Sequence, residues 1–455
     1  MNSKYERLAK RGKNAYQLAN IFLDDYFEGN TPVFPINPFE MLRHYGILIS
    51  FRPFKNYEGI YVPADDENDI PIVGINSKRP ITRQRYTAAH ELCHFLKDTN
   101  SGCVCDLGSK NNIEKYAEKF AGELLMPKAY LREMARKYSK NGYVSFDNVL
   151  LIADYFGVSF EACLYKLAYS LHMIEGDTSA DALKKKIRRF KPQNKREERG
   201  LTDTRLFSQL FDNLGNSFSL IDKGFAGEKF KTEYIYNDSR MEGIELDQEQ
   251  VSEIVIDLRE QKNYSKYSNE QNQNIVEIAG LSIAYDYAFD NYMDTISIET
   301  VKDINKHLFS AAPYPEFAGQ YRDNNTLVIG AKFETVDCWD IYEEMAELDN
   351  EIQSLINKTD ELTISEYILE ALKIHHKLTV IHPFRDGNGR SSRVLLNMML
   401  LRKGVSPTFF TESEKDAYKE ALGVADKKNN YDDLLNVLYR SILRSNYELS
   451  PKIIP

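Results

Sequence analysis

The chain has 455 residues, 42% hydrophobic and 28% charged, with a formal net charge of -10. That is enough for two or three domains with full cores. The charge excludes nonspecific attachment to nucleic acid or anionic membrane by the chain as a whole, and no apolar run approaches the roughly 18–20 residues of a spanning helix.

The amino terminus, "MNSKYERLAKRGKNAYQ", is polar and unlike a secretory signal. Five cysteines, few and unevenly spread, make no disulfide framework, so a reducing cytoplasm is the expected setting. Short strand-like segments, "ILISFRPF" and "IPIVGIN", come first. Helical periodicity then takes over in "RYTAAHELCHFLKD" and "IEKYAEKFAGELLMP". "LLIADYFGVSFEACLYKLAYSL" (150–171) reads as helix, turn at Gly157, helix. That is the outline of a DNA-reading unit, yet Asp154 and Glu161 flank the turn and few cations are at hand, so packing or peptide docking is expected there. The basic run "KKKIRRFKPQNKREER" (184–199) reads as a solvated helix end and linker, with a phosphate-binding arm as the alternative. The expected organisation is a first domain over 1–178, a basic linker over 179–200 and a mainly helical domain over 201–455. In that last part "QYRDNNTLVIGAKF" suggests a hairpin turning at Asn324 and Asn325.

Two stretches carry chemistry. In the first, His90 and His94 lie one helical turn apart and can share a tetrahedral Zn²⁺, with Glu91 placed to act as base on a metal-activated water. The bland alternative is an amphipathic helix with two packed histidines. Glu114 and Glu118, on a second helix and again one turn apart, can supply a third ligand and an orienting carboxylate. Cys103 and Cys105 are expected to be ordinary loop thiols, and His44 to be structural. Residues 15–175, through "PFEMLRHYGI", the strand ending "GIN", HExxH and "FAGELLMP", resemble the ImmA/IrrE family of zinc metallopeptidases. The resemblance implies an α+β zincin-like fold with a helix-turn-helix-like tail. It also implies zinc on His90, His94 and Glu114, Glu91 as general base, and a peptide or repressor-like protein as substrate. Glu118 stands where that family more often has Asn or Asp.

The second stretch is "HPFRDGNGRSSR", residues 382–393, between two apolar-periodic helices. Gly387, Asn388 and Gly389 permit close backbone approach at a helix amino terminus, which is an anion site. Arg390 and Arg393 add donors for phosphate oxygens, Asp386 suits Mg²⁺, and His382 is the one group able to take a proton near neutral pH. Phe384 reads as a core anchor. Every position matches H-x-F-x-[D/E]-G-N-G-R-x-x-R, and residues 205–445 resemble the Fic family. The resemblance implies transfer of AMP from ATP to a Ser, Thr or Tyr hydroxyl of a target protein. His382 would be the base, Asp386 the Mg²⁺ ligand and Arg390 a phosphate contact, with a hairpin flap at about 321–333 docking the target. "YNDSRMEGIEL" (236–246) is similar to the family's inhibitory helix, in which Glu242 would take Arg393 away from the γ-phosphate. Asp238 stands where Ser or Thr is usual, and an acid there is expected to loosen the helix or repel Glu242. A bifunctional enzyme is the first expectation. The alternatives are a Fic enzyme whose first domain only senses or binds, and a DNA-associated regulator.

Overall fold

The computed structural model describes residues 12, 14–64, 69–97, 103–106, 112–214, 225–261, 267, 270–312, 315–326 and 334–449. The chain divides into two compact units, residues 1–217 and 218–455.

The first unit packs helices on a small mixed sheet. Helix α1 (Ala15–Tyr26) and helix α2 (Pro38–His44) precede β1 (Leu48–Arg52), β2 (Tyr57–Val62) and β3 (Ile72–Asn76). Helix α3 (Ile81–Lys97) is followed by β4 (Cys103–Asp106), helix α4 (Asn112–Leu125) and helix α5 (Lys128–Tyr138). The strand order is β1-β3-β2-β4, with β1 parallel to β3 (Leu48 opposite Ile72) and β2 antiparallel to both its neighbours. The alternation of "IVGIN" buries Val73 and Ile75 against the helices. Asn76 ends that strand by donating to the carbonyls of Phe54 (3.0 Å) and Tyr57 (2.7 Å), which fixes the turn into β2. Cys103 and Cys105, expected in a loop, lie on β4.

Helix α6 (Phe146–Phe156) is capped by Gly157 in the left-handed region and followed by helix α7 (Phe160–Lys166). Lys166, at the end of that second helix, is engaged inward. It reaches Glu123 at 2.7 Å and the carbonyls of Gly122 (3.0 Å) and Met126 (2.6 Å). The basic run is also structured. Helix α8 (Ala180–Phe190) and helix α9 (Pro192–Glu198) occupy it, and its arginines meet the acids that flank the earlier turn. Arg196 pairs with Asp154 (3.2 Å) and Asp203 (2.8 Å), and Arg199 with Asp147 (2.6 Å). Helix α10 (Thr204–Leu214), which the sequence reading places with the second half, lies in the first unit. Its anchor is the fully buried Arg85 of α3, which donates to Gln209, to the Ile36 carbonyl (2.5 Å) and to the Gly157 carbonyl (3.1 Å).

The second unit is helical among the described residues. Helices α11 (Phe225–Glu242), α12 (Gln248–Gln261), α13 (Gln273–Asn291) and α14 (Ile298–Leu308) lead to α15 (Ile341–Asn357). The central pair α16 (Ile364–Ile381) and α17 (Asn388–Arg402) follows, then α18 (Lys415–Lys428) and α19 (Asp432–Leu449). Thr363 and Glu366 form a reciprocal capping box at the start of α16. Gly404, at φ 76, follows the end of α17. Residues 327–333 of the expected hairpin lie outside the described residues; before them, Tyr321 forms a lone antiparallel bridge with Phe384. No single described helix is long and apolar enough to cross a membrane.

Candidate functional site

In the first unit the "HELCH" turn sits inside α3, whose inner face is buried from Thr87 to Leu96. His90 and His94 therefore point the same way, toward the first turn of α4. His90 Nε2 lies 3.0 Å from Glu114 Oε2 and 3.1 Å from His94 Nε2, and His94 Nε2 lies 3.6 Å from Glu114 Oε1. Ligand atoms about 2.0–2.1 Å from a tetrahedral ion stand about 3.3 Å apart, so this triangle suits one zinc-sized cation. Glu118, one turn on, is exposed, and its carbonyl accepts the Tyr86 hydroxyl at 3.2 Å. Burial lowers the His90 pKa despite Glu114, which favours the neutral imidazole a metal needs.

Glu91 is fully buried, and neither carboxylate oxygen has a hydrogen-bond partner among the described residues. Burial, and after it the charge of Glu114, raises its pKa well above the usual carboxylate range. A buried acid without a donor is costly, and a cation beside it supplies the missing compensation. The sheet leaves space for it: a Cβ on Gly59 of β2 would stand 2.5 Å from Glu91 Oε1 and 2.4 Å from Thr87 Cγ2. Sequence reasoning missed Gly59, whose role is set by this close approach across the fold.

In the second unit the motif forms the turn between α16 and α17. His382 caps α16 in the left-handed region at φ 51, a conformation costly for a residue with a Cβ. Arg322 holds it there. This buried guanidinium donates to the carbonyls of His382 (2.8 Å), Ile381 (3.4 Å) and Asn324 (2.8 Å), and to that of Val336. Its backbone N–H adds a bond to the Pro383 carbonyl at 2.8 Å. Burial first, and Arg322 among the nearby charges, lowers the His382 pKa below its ordinary 6.5. The imidazole is thus neutral and ready to accept a proton near pH 7. The sequence reading used the "GQYR" segment to mark the hairpin and gave Arg322 no role.

The rest of the loop is braced from within. Asn388 accepts from Phe384 N and donates to Phe384 O, both at 2.8 Å, so its side chain shapes the loop. Phe384 is fully buried, as expected of an anchor, which is worth about 1.5–3 kcal/mol. Asn305, on α14, donates to the Asp386 carbonyl at 3.0 Å. Asp386 accepts from Gly387 N at 2.6 Å while its side chain stays 62% exposed, free to meet a hydrated cation. Gly387, at φ 77, turns the chain into α17 and leaves the first N–H groups of that helix open to an anion.

Both arginines expected to meet phosphate are held by acids. Arg390 pairs with Glu277 at 2.8 Å. Arg393 meets Glu242 Oε1 at 2.5 Å, and Asp238 grips it through Nε and, at 3.1 Å, through Nη2. Asp238 does not keep the helix end away: it and Glu242 act unfavourably on each other's charge, as expected, but both converge on one buried cation that offsets this. Burial works against the charge on Arg393, but Asp238 and then Glu242 keep its pKa well above the ordinary value. A Cβ on Gly389 would lie 3.2 Å from Glu242 Oε1, so this position needs a small residue for the helix end to approach.

Comparisons with known proteins divide the chain in the same two places. Residues 42–168 match the Peptidase_M78 family, the IrrE N-terminal-like domain, and residues 295–400 match the Fic/DOC family. The protein adenylyltransferase fic-1 of Caenorhabditis elegans is 32% identical over 133 residues, 29% of this chain and 25% of the relative. The protein adenylyltransferase Fic of Aedes aegypti is 29% identical over 154 residues, 33% of this chain and 29% of the relative. The matched stretch thus spans about a quarter of the length of these curated relatives. Among solved structures, Fic-1 (residues 134–508) from C. elegans aligns with a TM-score of 0.46 at 18% identity, covering 80% of this chain and 97% of that one. A Fic domain containing signaling protein from Bacteroides thetaiotaomicron aligns at 0.44 and 20% identity, covering 54% and 94%. The complete twelve-residue motif and the HExxH turn fall inside the two family matches, and the chain is a fusion of an IrrE-like domain with a Fic-family domain.

Proposed function

We propose that the Fic unit transfers AMP from ATP to a Ser, Thr or Tyr hydroxyl of a target protein. The supporting observation is a neutral, left-handed His382 held beside an open helix amino terminus. His382 accepts the hydroxyl proton as the oxygen bonds to the α-phosphorus; the bond from that phosphorus to pyrophosphate breaks, and pyrophosphate leaves. The amide groups at the start of α17 and the side chains of Arg390 and Arg393 would hold phosphate oxygens. Asp386 would hold Mg²⁺, which neutralises phosphate charge when bound. In the conformation described here Arg390 is occupied by Glu277 of α13 and Arg393 by two acids of α11, so the transferase is read as held off, with α11 closing the Arg393 side. The experiment is incubation with labelled ATP in a bacterial lysate. Wild type should label weakly, Glu242→Gly strongly and His382→Ala not at all.

For the IrrE-like unit we infer zinc-dependent hydrolysis of a peptide bond, probed on a regulatory protein of the repressor type. His90, His94 and Glu114 would hold the metal, which polarises the scissile carbonyl and acidifies water when bound. Glu91 would take the proton of the attacking water and deliver it to the leaving amine. The partnerless, buried Glu91 favours this reading over a module that only binds, since binding alone gives no reason to bury an unpaired acid. Two cations of the basic run, Arg196 and Arg199, are engaged by acids of the same unit, which weighs against a DNA-contacting role for them.

A further inference from the structure

Trp339 is the chain's only tryptophan, and it is 85% exposed; Tyr342, three residues on, is 74% exposed. These two rings are the most open among the described residues; the next tyrosines, Tyr169 and Tyr16, are 49% and 48% exposed. Their surroundings are one-sided in charge. Between residues 334 and 357 there are eight acidic residues and no lysine or arginine. Some of these acids have structural employment. Glu344, Glu347 and Glu351 face Lys377 at 3.9, 3.3 and 2.9 Å. Asp337 accepts from Trp339 N at 3.1 Å and from Asn325 Nδ2 at 2.9 Å, which fixes the backbone that presents the indole. Glu334, Asp340, Glu343 and, on the segment after Tyr321, Asp323 are exposed, and among the described residues none of them is in an ion pair. A helix amino terminus favours acids at Asp340 and Glu343, but it does not account for the bare rings of Trp339 and Tyr342 beside them.

The ledge is continuous with the transfer site. The Tyr342 ring packs 5.1 Å from the Tyr321 ring, and Tyr321 bridges by its backbone to Phe384, two residues from His382. Arg322, next along the chain, ties the same segment to the His382 carbonyl. A polypeptide whose hydroxyl reaches His382 therefore passes this surface. We propose that Trp339 and Tyr342, set among these acids, dock a basic segment of the protein that receives the nucleotide. The inference rests on the transfer reading above and names the chemistry of its target: lysines or arginines flanking the modified hydroxyl. Guanidinium and ammonium groups pair with the free carboxylates and stack on ring faces, and both interactions are strongest where ring and acid adjoin. A second copy of this chain fits poorly, since it brings the same acids and the same net charge of -10.

The single tryptophan provides the test. The full-length protein, without ATP, is titrated with a short tryptophan-free peptide that carries a threonine flanked by arginines and a leucine. A peptide with the arginines replaced by glutamates is the control, and Trp339 emission is the readout. The basic peptide should give a saturable spectral change, weakened about tenfold between low salt and about 0.3 M salt. Tyr342→Ala and Glu343→Lys, both at exposed positions, should each weaken it about fivefold or more. Equal response to the acidic peptide, no response, or an unaltered response in Glu343→Lys would overturn the proposal. So would a change driven by protein concentration alone, which would assign the ledge to a second copy. Because no nucleotide is present, peptide binding without labelling by Glu242→Gly would sink the transfer reading and leave the docking surface standing.

Discussion

Asp238 and Arg393 form a two-point pair inside the Fic unit, with the carboxylate set against both Nε and Nη2 of a fully buried guanidinium. Glu242 then takes Nη2 from the outer side, at 2.5 Å. Helix α11 therefore applies two acids, one turn apart, to the same cation.

Removing the outer acid should leave Arg393 paired with Asp238 alone and open its outer side to a phosphate oxygen. Glu242→Gly is expected to raise AMP transfer about tenfold or more at saturating ATP, since displacing one charge-assisted contact is worth about 1.5–3 kcal/mol. Asp238→Ser should also raise it, but less, because Glu242 still blocks the side of Arg393 that faces the site. Labelling of the protein itself by ATP measures both. A fall in Asp238→Ser would mean that the inner acid positions Arg393 for catalysis in place of restraining it.

The candidate metal site of His90, His94 and Glu114 gives a second expectation. Elemental analysis should find about one Zn²⁺ per chain and none in His90→Ala/His94→Ala. Chelation should lower the unfolding temperature of the wild type, because it leaves three buried polar ligands and Glu91 without a compensating charge. Glu91→Gln should keep the metal and lose cleavage, as an amide cannot accept the water proton. Gly59→Ala should impair the same site from the sheet side, through the 2.5 Å clash with Glu91 Oε1. Metal retained at full occupancy in the double histidine variant would remove these residues as ligands.

A third expectation concerns pH. Because burial lowers the His382 pKa, the neutral form predominates at pH 7, and kcat should rise with pH through an inflection below 6.5 and be flat by neutrality. His382→Ala should abolish transfer while nucleotide binding, measured by calorimetry, persists through the helix amino terminus and Arg390. Undiminished transfer by that variant would assign the proton to another group.

Much of this was legible in the chain because the chemistry is local. His90 and His94 share a helical turn, and the twelve residues from His382 to Arg393 form one loop and one helix start, so spacing alone brings their groups together. The partners were not legible, because they arrive from distant sequence. Asp238 lies 155 residues before Arg393, Glu277 lies 113 before Arg390, and Gly59 meets Glu91 only across the sheet. At the basic run composition pointed to a solvated helix end and linker, and the run is helical and largely exposed, but its ion pairs could not be read from composition. Arg196 and Arg199 have acidic partners on α6 and just ahead of α10, and pairing of that kind leaves no trace in local charge.

Arg322 supplies the last expectation. It holds the left-handed His382 by donating to four carbonyls. A lysine keeps the charge but cannot span carbonyls on both sides of the turn with a rigid fork. Arg322→Lys should therefore lower kcat about ten- to a hundredfold while the ATP affinity stays unchanged, since the phosphate-binding groups lie on α17. Arg322→Ala should lower kcat as far and also move the acid limb of its pH profile. The sign follows from the charge. Arg322 helps to depress the His382 pKa, so its loss raises that pKa and shifts the limb to higher pH, whereas the lysine variant leaves the limb in place. Stopped-flow transfer rates across pH for the Glu242→Gly protein, with and without each substitution, separate the two effects. An unshifted limb in Arg322→Ala, with kcat intact, would mean that His382 keeps its conformation and proton affinity without this clamp.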